Sequence, residues 1–299
     1  MKDANWTTVE IPDQGGRLAV ITGATSGLGK EAARVLAHKG ATVLLAVRNV
    51  RKGEDVVGEI RGAVQDADVA VRELDLARLS SVRRFAEGIA KERDRLDVLI
   101  NNAGVMMCPY EKTEDGFEIQ MGTNHLGHFA LTGLLAPLLR ATPGSRVVAT
   151  SSIAHRRGKI DLADLNWETR PYNSLQAYAD SKLANLYFAY ELARRGRTDP
   201  ELPTATAAHP GWTRTDLQRH SGVMRFLNRF LSQAPEKGVL PTLRAAVDDG
   251  AEPGDYFGPA GFFELHGPPV RVESTARSHD EGAARELWVL SENLTGVSF

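Results

Sequence analysis

Short apolar runs alternate with segments of helical periodicity along the first half of the chain, and this alternation restricts the possible fold more than any other feature. Residues 18–22, 42–47, 69–71, 97–100 and 146–150 have the length and the apolar content of buried parallel strands. Between them, residues 28–39, 53–61, 80–92 and 122–140 repeat apolar side chains at helical spacing. This order predicts an α/β fold, a Rossmann-like doubly wound parallel sheet of about seven strands with helices on both faces.

Length, composition and charge limit the functional classes. The 299 residues, 42% of them hydrophobic, predict a single domain over 1–299 with one large core. A net charge of −2 with dispersed Lys and Arg argues against nucleic acid as a partner. Cys108 is the only cysteine, which excludes an internal disulfide and suits a reducing compartment. With no stretch resembling a signal peptide or a membrane span, we expect a cytoplasmic protein without integral membrane association.

A glycine-rich turn follows the first predicted strand. The turn consists of Thr22, Gly23, Ala24, Thr25, Ser26, Gly27, Leu28 and Gly29. Glycines let the backbone approach a pyrophosphate at the N-terminus of the helix that follows. The spacing G-x-x-x-G-x-G differs from the general dinucleotide fingerprint G-x-G-x-x-G, and the chain lacks the triphosphatase sequence G-x-x-x-x-G-K-[ST]. A dinucleotide site is predicted; a glycine-rich turn without ligand is the alternative.

The end of the second predicted strand bears on the choice of dinucleotide. NAD-selective sites usually carry Asp or Glu there, which binds the ribose 2′-hydroxyl. Here Val47 occupies that position and Arg48 follows. A guanidinium binds a 2′-phosphate through paired charged hydrogen bonds, and no carboxylate repels that phosphate. We therefore predict NADP(H) over NAD(H), with a solvated loop arginine as the alternative interpretation of Arg48.

Tyr178 and Lys182 are separated by four positions, which places a phenol and an ammonium on one face of a helix. Of six tyrosines, only Tyr178 has lysine at the fourth following position. A neighbouring cation favours the phenolate and is expected to lower the pKa of the phenol from about 10. Such a group exchanges protons with a carbonyl or alcohol oxygen. The pattern also arises by chance, so it depends on support from other motifs.

These motifs occur in an order that resembles the short-chain dehydrogenase/reductase family over almost the whole chain. The ordered set is the glycine turn, Asn101-Asn102-Ala103-Gly104, Ser152 and Tyr178-x-x-x-Lys182. The runs Asn101 to Met106 and Asn124 to Phe129 are most similar to the retinol dehydrogenase and WW-domain oxidoreductase branch.

The resemblance implies four catalytic residues. Tyr178 would be the general acid or base, and Lys182 would lower its pKa and bind the nicotinamide ribose. Ser152 would stabilise charge on the substrate oxygen, with Ser151 as the rival serine. Asn124 would position a water against the lysine; the alternative is a buried polar residue bonded only to backbone.

The resemblance also implies the residues that bind the dinucleotide. Asp75 would lie near the adenine, Gly104 near the adenosine ribose, and Pro210 to Thr215 around the nicotinamide carboxamide. The implied set is Gly23, Thr25, Ser26, Gly27, Leu28, Gly29, Arg48, Asp75, Leu76, Asn102, Ala103, Gly104, Tyr178, Lys182, Pro210, Gly211, Thr213 and Thr215.

Three further segments carry predictions. The long spacing between Ser152 and Tyr178 indicates an insertion at about 154–175 beside the active-site mouth. An amphipathic segment at about 216–235 predicts a lid whose apolar side suits a lipophilic substrate; core packing and membrane contact are the alternatives. A final helix is expected to begin near Ser278, whose spacing to Glu281 suits a capping box.

His125 and His128 are three positions apart, a spacing found in metal sites, but the apolar surroundings favour packing and we predict no metal. In the family, the helices around 124–139 and 178–194 commonly pair between subunits, which permits a homodimer or homotetramer here. The apolar residues available for such pairing are Phe129, Leu131, Leu134, Leu135, Leu186, Tyr187 and Phe188.

The combined prediction is an NADP(H)-dependent oxidoreductase that transfers hydride between nicotinamide and the carbonyl or alcohol carbon of a lipophilic small molecule, with Tyr178 as general acid or base. Two alternatives stay open. One is an NADP-binding sensor or interaction protein without productive turnover. The other is reduction of a carbon–carbon double bond by the same Tyr-Lys pair.

Overall fold

Eight strands form one sheet in the computed structural model of this chain, which describes residues 6–212 and 233–299. The strands are β1 Leu18–Thr22, β2 Thr42–Val47, β3 Val69–Glu73, β4 Val98–Asn101, β5 Arg146–Thr150, β6 Thr204–Ala208, β7 Tyr256–Pro259 and β8 Pro269–Arg271. Their order is β3-β2-β1-β4-β5-β6-β7-β8. The topology reverses on either side of β1, as in a doubly wound sheet, and the predicted fold class is confirmed.

The first seven strands are parallel, whereas β8 pairs with β7 in the antiparallel direction. A parallel crossover needs a dozen or more residues, and the connection 260–268 is shorter than that. The chain therefore turns back along β7 and ends the sheet with an antiparallel edge strand, which the sequence pattern did not predict.

Helices cover both faces of the sheet. They are α1 Gly27–His38, α2 Val50–Ala63, α3 Leu79–Glu92, α4 Ile119–Met121, α5 Gly127–Ala141, α6 Ser174–Gly196, Pro235–Gly238, Leu240–Val247 and the C-terminal helix Glu281–Thr295. A π-helical turn, Gly122–Leu126, joins α4 to α5. Helix α2 begins earlier than predicted because the Asn49 side chain accepts a hydrogen bond from Lys52 N (3.0 Å) and caps the helix at Val50.

Two hydrophobic layers enclose the sheet. One contains buried side chains of α1, α2 and the helix Leu240–Val247, and the other contains those of α3, α5, α6 and the C-terminal helix. Strands β1 and β4 are buried along their whole length. Burial on both faces explains why these strands are continuous apolar runs rather than alternating patterns.

The C-terminal helix begins three residues after the predicted position. Asp280 is its N-cap and accepts a hydrogen bond from Ala283 N (3.0 Å). Ser278 lies in the preceding 3₁₀ turn, where its hydroxyl donates to Thr275 O. The capping box predicted for Ser278 and Glu281 is therefore wrong, because the carboxylate of Asp280 stands next to the first helical turn and takes that place.

The C-terminal helix packs over α5 and α6. The ring of Trp288 stacks on Phe188 at 5.8 Å between centroids and meets Phe129 edge-on at 5.0 Å. Phe129, Leu131, Leu135, Leu186, Tyr187 and Phe188 are buried within the single chain. Most of the apolar residues considered for subunit pairing are thus covered by the chain itself, and the oligomeric state stays a prediction.

The predicted insertion, 154–175, begins in the 3₁₀ turn Ile153–Arg157, continues as an irregular segment that packs against the loop after β4, and ends in the first residues of α6. Tyr110 donates to Asn166 O (3.0 Å), and Lys112 forms an ion pair with Glu168. The predicted lid, about 216–235, lies outside the described residues except for its last three positions. Within the described part of the chain, no helix is long and apolar enough to cross a membrane.

Candidate active site

The predicted site residues converge at the carboxyl edge of the sheet. The glycine turn follows β1, Asn102 follows β4, Ser152 follows β5 and Pro210 follows β6. Because these strands are neighbours and parallel, their carboxyl ends meet at one edge. The sheet therefore brings together segments that are far apart in the sequence.

The glycine turn has the geometry that a pyrophosphate site needs. Gly23 and Gly27 adopt left-handed φ values of 68° and 55°. A Cβ at Gly29 would lie 2.6 Å from Asn102 Nδ2 and 2.7 Å from Gly23 O, so only glycine leaves room for this backbone. The N-cap residue of α1, Ser26, makes no side-chain cap hydrogen bond. The first amides of α1 remain uncapped, and the turn fits a dinucleotide phosphate.

Asn102 and Ala103 brace this turn from the neighbouring strand. Their backbone amides both donate to the hydroxyl of Thr22 (2.9 Å each), and Asn102 Nδ2 donates to Thr22 O (2.8 Å). His128 Nε2 lies 2.9 Å from the same hydroxyl. Thr22 and His128 thus support the turn, a role that the sequence motifs did not predict. The glycine motif included Thr22, but only the fold shows that His128 reaches it.

Arg48 and Asp75 lie at the edges of the site. Arg48 follows β2, is exposed, and makes no ion pair with any residue of the described ranges. The Asp75 carboxylate accepts from Ala77 N (3.0 Å) and lies 3.7 Å from Arg78 Nε. Leu76 is buried beside it. The Arg48 guanidinium is available to a ligand, whereas the Asp75 carboxylate already has contacts with Ala77 and Arg78 in the turn that follows it.

Helix α6 presents Tyr178 and Lys182 on one face. Asn173 caps this helix by accepting from Leu175 N (3.1 Å) and Gln176 N (3.0 Å). Lys182 Nζ lies 5.7 Å from the centroid of the Tyr178 ring and donates to Thr150 O (3.1 Å). Both side chains are buried. The predicted stacking of the pair is confirmed.

Burial dominates the protonation of this pair. It raises the pKa of Tyr178 to about 12, against an opposing contribution from a hydrogen bond to the Ser152 side chain. Burial also lowers the pKa of Lys182 to about 8. The expectation that Lys182 lowers the pKa of Tyr178 is not met, since the ammonium is directed at Thr150 O and desolvation of the phenolate costs more. Tyr178 is a protonated phenol at neutral pH.

The two serines after β5 have different surroundings. Ser151 is buried, and its hydroxyl donates to the backbone oxygen of Lys182 (2.9 Å). Ser152 is partly exposed, accepts from Ala154 N (3.2 Å) and interacts with the hydroxyl of Tyr178. The structure therefore places Ser152, rather than its rival, beside Tyr178.

Asn124 lies in the π-helical turn and joins the loop after β4 to α6. Its Oδ1 accepts from Val105 N (2.8 Å), and its Nδ2 donates to Val105 O (2.9 Å) and Ser181 Oγ (2.9 Å). Its backbone oxygen lies 2.9 Å from His128 Nδ1. These contacts are structural, and the water-positioning role of Asn124 stays a prediction. A Cβ at Gly104 would lie 3.0 Å from Asn124 Oδ1, so this loop lies tightly against the π-helical turn.

The turn after β6 is held from two sides. Gly211 has a left-handed φ of 64°, and a Cβ there would lie 2.5 Å from Leu265 O. Gln233 Nε2 donates to Pro210 O (2.8 Å), and Trp212 N donates to Leu265 O (2.9 Å). Thr213 and Thr215 lie outside the described residues, so their predicted contacts with the carboxamide stay predictions.

The two histidines of the candidate metal pair are buried and bonded within the chain. His125 Nε2 lies 2.9 Å from Ser291 Oγ, and His128 contacts Thr22 and Asn124 as described. Burial lowers the pKa of His125 to about 3 and that of His128 to about 4, so both rings are neutral. These contacts agree with the packing role predicted for the pair.

A pocket of about 340 Å³ opens beside the N-terminus of α6. Its lining consists of Met107, Cys108, Pro109, Tyr172 and Ser174. Ser174 stands one helical turn before Tyr178, which corresponds to a rise of about 6 Å along α6. The pocket is therefore close to the face that carries the phenol.

Comparisons with known proteins agree with this geometry. The sequence model of the short chain dehydrogenase family matches residues 17–224. Human retinol dehydrogenase 12 is 44% identical over 296 residues, covering 97% of this chain and 89% of that protein. Human retinol dehydrogenase 13 is 42% identical over 292 residues, covering 94% and 85%.

Two solved structures are similar over most of their length. A putative uncharacterized protein from Mycobacterium paratuberculosis has a TM-score of 0.84 at 46% identity, and the match covers 98% of each chain. A putative short chain dehydrogenase from Shigella flexneri, complexed with NADP, has a TM-score of 0.65 at 27% identity, with 82% of this chain and 97% of that chain covered.

Proposed function

The chain belongs to the short-chain dehydrogenase family, and from this premise we propose that it is an NADP(H)-dependent oxidoreductase acting on the carbonyl or alcohol carbon of a lipophilic small molecule. The observation that carries the proposal is the arrangement of Ser152, Tyr178 and Lys182 at the sheet edge where the glycine turn lies. Buried titratable groups that converge in this way are typical of catalytic sites.

Each residue of this group has a chemical role in the proposal. The bound nicotinamide supplies or accepts the hydride. Tyr178 donates the proton to the substrate oxygen during reduction and withdraws it during oxidation. Ser152 donates a hydrogen bond to the same oxygen as charge develops there. Lys182 contributes positive charge beneath the phenol and binds the cofactor ribose.

The protonation of Tyr178 predicts how the rates of the two directions depend on pH. With its pKa raised to about 12, the phenol holds its proton and serves directly as an acid. The reverse reaction requires a phenolate, which burial disfavours. Oxidation is therefore expected to accelerate as the pH rises.

Arg48 supports the preference for NADP(H). It is exposed at the carboxyl end of β2, and Val47 stands where an NAD-selective site carries an acid. The relative from Shigella flexneri was solved with NADP, which is compatible with the same cofactor here. The names of the retinol dehydrogenase relatives support a lipophilic aldehyde, ketone or alcohol as substrate, and Met107, Cys108 and Pro109 give the pocket its apolar part.

The activity test is a panel of aldehydes and ketones with NADPH as the reductant. Tyr178→Phe is expected to lower kcat by about 10²-fold or more, since it removes the acid and little else. Tyr187→Phe, a buried tyrosine of the same helix, is the matched control and should retain activity. If NADPH binds but no carbonyl is reduced, and Tyr178→Phe changes nothing, the protein is a cofactor-binding sensor instead.

The cofactor test compares NADPH with NADH in the same assay. The wild type should prefer NADPH, and Arg48→Ala should lower kcat/KM for NADPH by about tenfold or more while leaving NADH nearly unchanged, because one charged hydrogen-bond partner of the 2′-phosphate is lost. A wild type that prefers NADH would refute the assignment of Arg48.

A further inference from the structure

A buried carboxylate, Glu118, anchors a hydrogen-bond network beside the pocket at the N-terminus of α6. It is fully buried, and neutral groups donate to it: Gln120 N (3.0 Å), Met121 N (2.7 Å) and the hydroxyl of Tyr172 (2.9 Å). Burial raises its pKa. A buried acid held by three donors is costly to assemble, so its partners are fixed in position.

Gln120 extends this network to two other segments. Its Oε1 accepts from Met107 N (2.7 Å), in the loop after β4. Its Nε2 donates to Ser174 O (2.9 Å) and to the hydroxyl of Tyr172 (2.8 Å), at the start of α6. One buried amide therefore joins the two segments that line the pocket.

The pocket wall is strained where the network holds it. Met107 adopts a left-handed φ of 53°, a conformation that costs free energy for a residue with a side chain. Its amide is the one bonded to Gln120. The next residue, Cys108, has its backbone oxygen 3.3 Å from the hydroxyl of Tyr172. Removing these hydrogen bonds should let the wall relax.

We propose that Gln120 and Tyr172 are positioning residues that set the substrate size preference by fixing the wall formed by Met107, Cys108 and Pro109 relative to Tyr178. The inference rests on the proposed reductase function. The long, apolar part of an aldehyde or ketone would lie against this wall, while the carbonyl lies at Tyr178. Neither Gln120 nor Tyr172 takes part in proton transfer.

The test compares Tyr172→Phe and Gln120→Met with the wild type. Tyr172→Phe lacks the hydroxyl but keeps the ring, whose centroid lies 5.5 Å from that of Trp167 and 5.1 Å from that of Tyr110. Tyr110→Phe is the matched control, since it removes a neighbouring hydroxyl that bonds Asn166 O and not Glu118, Gln120 or the wall. Gln120→Met removes both Oε1 and Nε2 of the side-chain amide and keeps a side chain of similar length.

Steady-state kinetics with NADPH, using propanal as the small aldehyde and decanal as the large one, provide the first readout. The two variants should raise KM for decanal by about fivefold, because the wall that contacts its apolar chain is no longer fixed by these hydrogen bonds, with KM for NADPH and kcat for propanal changed less than about twofold. Equal effects on all substrates and on NADPH, or no effect on decanal, would overturn the proposal.

The second readout does not need activity. Cys108 is the only cysteine of the chain and lies in the wall, so the rate at which a fluorescent maleimide labels it reports how well the wall is held. Labelling should be about fivefold faster in Tyr172→Phe and Gln120→Met than in Tyr110→Phe and the wild type. Unchanged labelling would overturn the positioning role. If the wild type reduces no carbonyl, the proposed function fails, and labelling alone decides whether the network positions the wall.

Discussion

Burial, more than the neighbouring charge of Lys182, determines the protonation state of the Tyr178 phenol. The hydroxyl interacts with Ser152, and the ammonium of Lys182 is bonded to Thr150 O, so the phenol keeps its proton. With a pKa lowered to about 8, Lys182 loses part of its charge just above neutral pH. The pair is therefore better described as a buried acid with an adjustable cation than as a preformed phenolate.

A prediction at the residue scale separates the two serines after β5. Ser152→Ala should lower kcat/KM by about 10² to 10³-fold, because it removes a donor to the developing oxyanion. Ser151→Ala should leave kcat/KM within about tenfold and cost about 1 kcal/mol of stability, since its hydroxyl bonds the backbone oxygen of Lys182. Carbonyl reduction and urea unfolding measure the two effects. A dead Ser151→Ala beside an active Ser152→Ala would reverse the assignment.

Among the elements, the C-terminal helix has the widest structural effect. Its Trp288 packs on Phe129 of α5 and Phe188 of α6, the helices that commonly pair between subunits in this family. Covering this apolar surface within one chain removes the main driving force for pairing there. The same helix contributes Ser291 to His125 and so borders the π-helical turn.

We accordingly expect light scattering after size exclusion to give a mass near 32.5 kDa, that of one chain. If a dimer is found, cross-linking should map its interface away from the face covered by Trp288. A dimer joined through α5 and α6 would contradict the intramolecular packing described above.

The N-cap of the C-terminal helix gives a second prediction at this scale. Asp280→Ala should lower the free energy of unfolding by about 0.5 to 2 kcal/mol, because Ala283 N loses its side-chain partner. Asp280→Asn keeps a capping oxygen and should cost only a few tenths of a kcal/mol. Equilibrium urea unfolding compares them, and equal losses in both variants would show that the cap does not stabilise the helix.

For the whole molecule, local patterns could be predicted from the sequence, whereas contacts between distant residues could not. The strand bounds 18–22, 42–47 and 146–150 were predicted as the structure has them, because strands buried on both faces are continuous apolar runs. The position of the glycine turn followed from the same regularity, whereas Ser152 was identified through the family resemblance. The raised pKa of Tyr178 and the network of Gln120 could not be predicted, since both depend on burial and on partners distant in the sequence.

The buried histidines predict how the stability of the whole molecule depends on pH. Burial lowers the pKa of His125 to about 3 and those of His128 and His155 to about 4. In the unfolded chain these rings take up protons below about 6.5, whereas the folded chain keeps them neutral. Their contribution is therefore complete above about pH 6.5 and is lost as the pH falls toward the folded values. Burial raises the pKa values of Glu118 and Asp180, so their contribution to stability is present at low pH and is lost as the pH rises.

Urea unfolding at pH 7, 6 and 5 should thus show that the free energy of unfolding decreases as the pH is lowered. The decrease is about 1.4 kcal/mol per pH unit for each histidine that is fully protonated in the unfolded chain and neutral in the folded chain. His125→Gln removes one such group and should make the slope shallower by about that amount, whatever its effect on stability at pH 7. The slope is informative because it depends on the number of protons taken up on unfolding and not on the contacts that are lost. An identical slope in His125→Gln and the wild type would mean that His125 binds its proton equally in both states, contrary to its burial between Phe129 and Phe188.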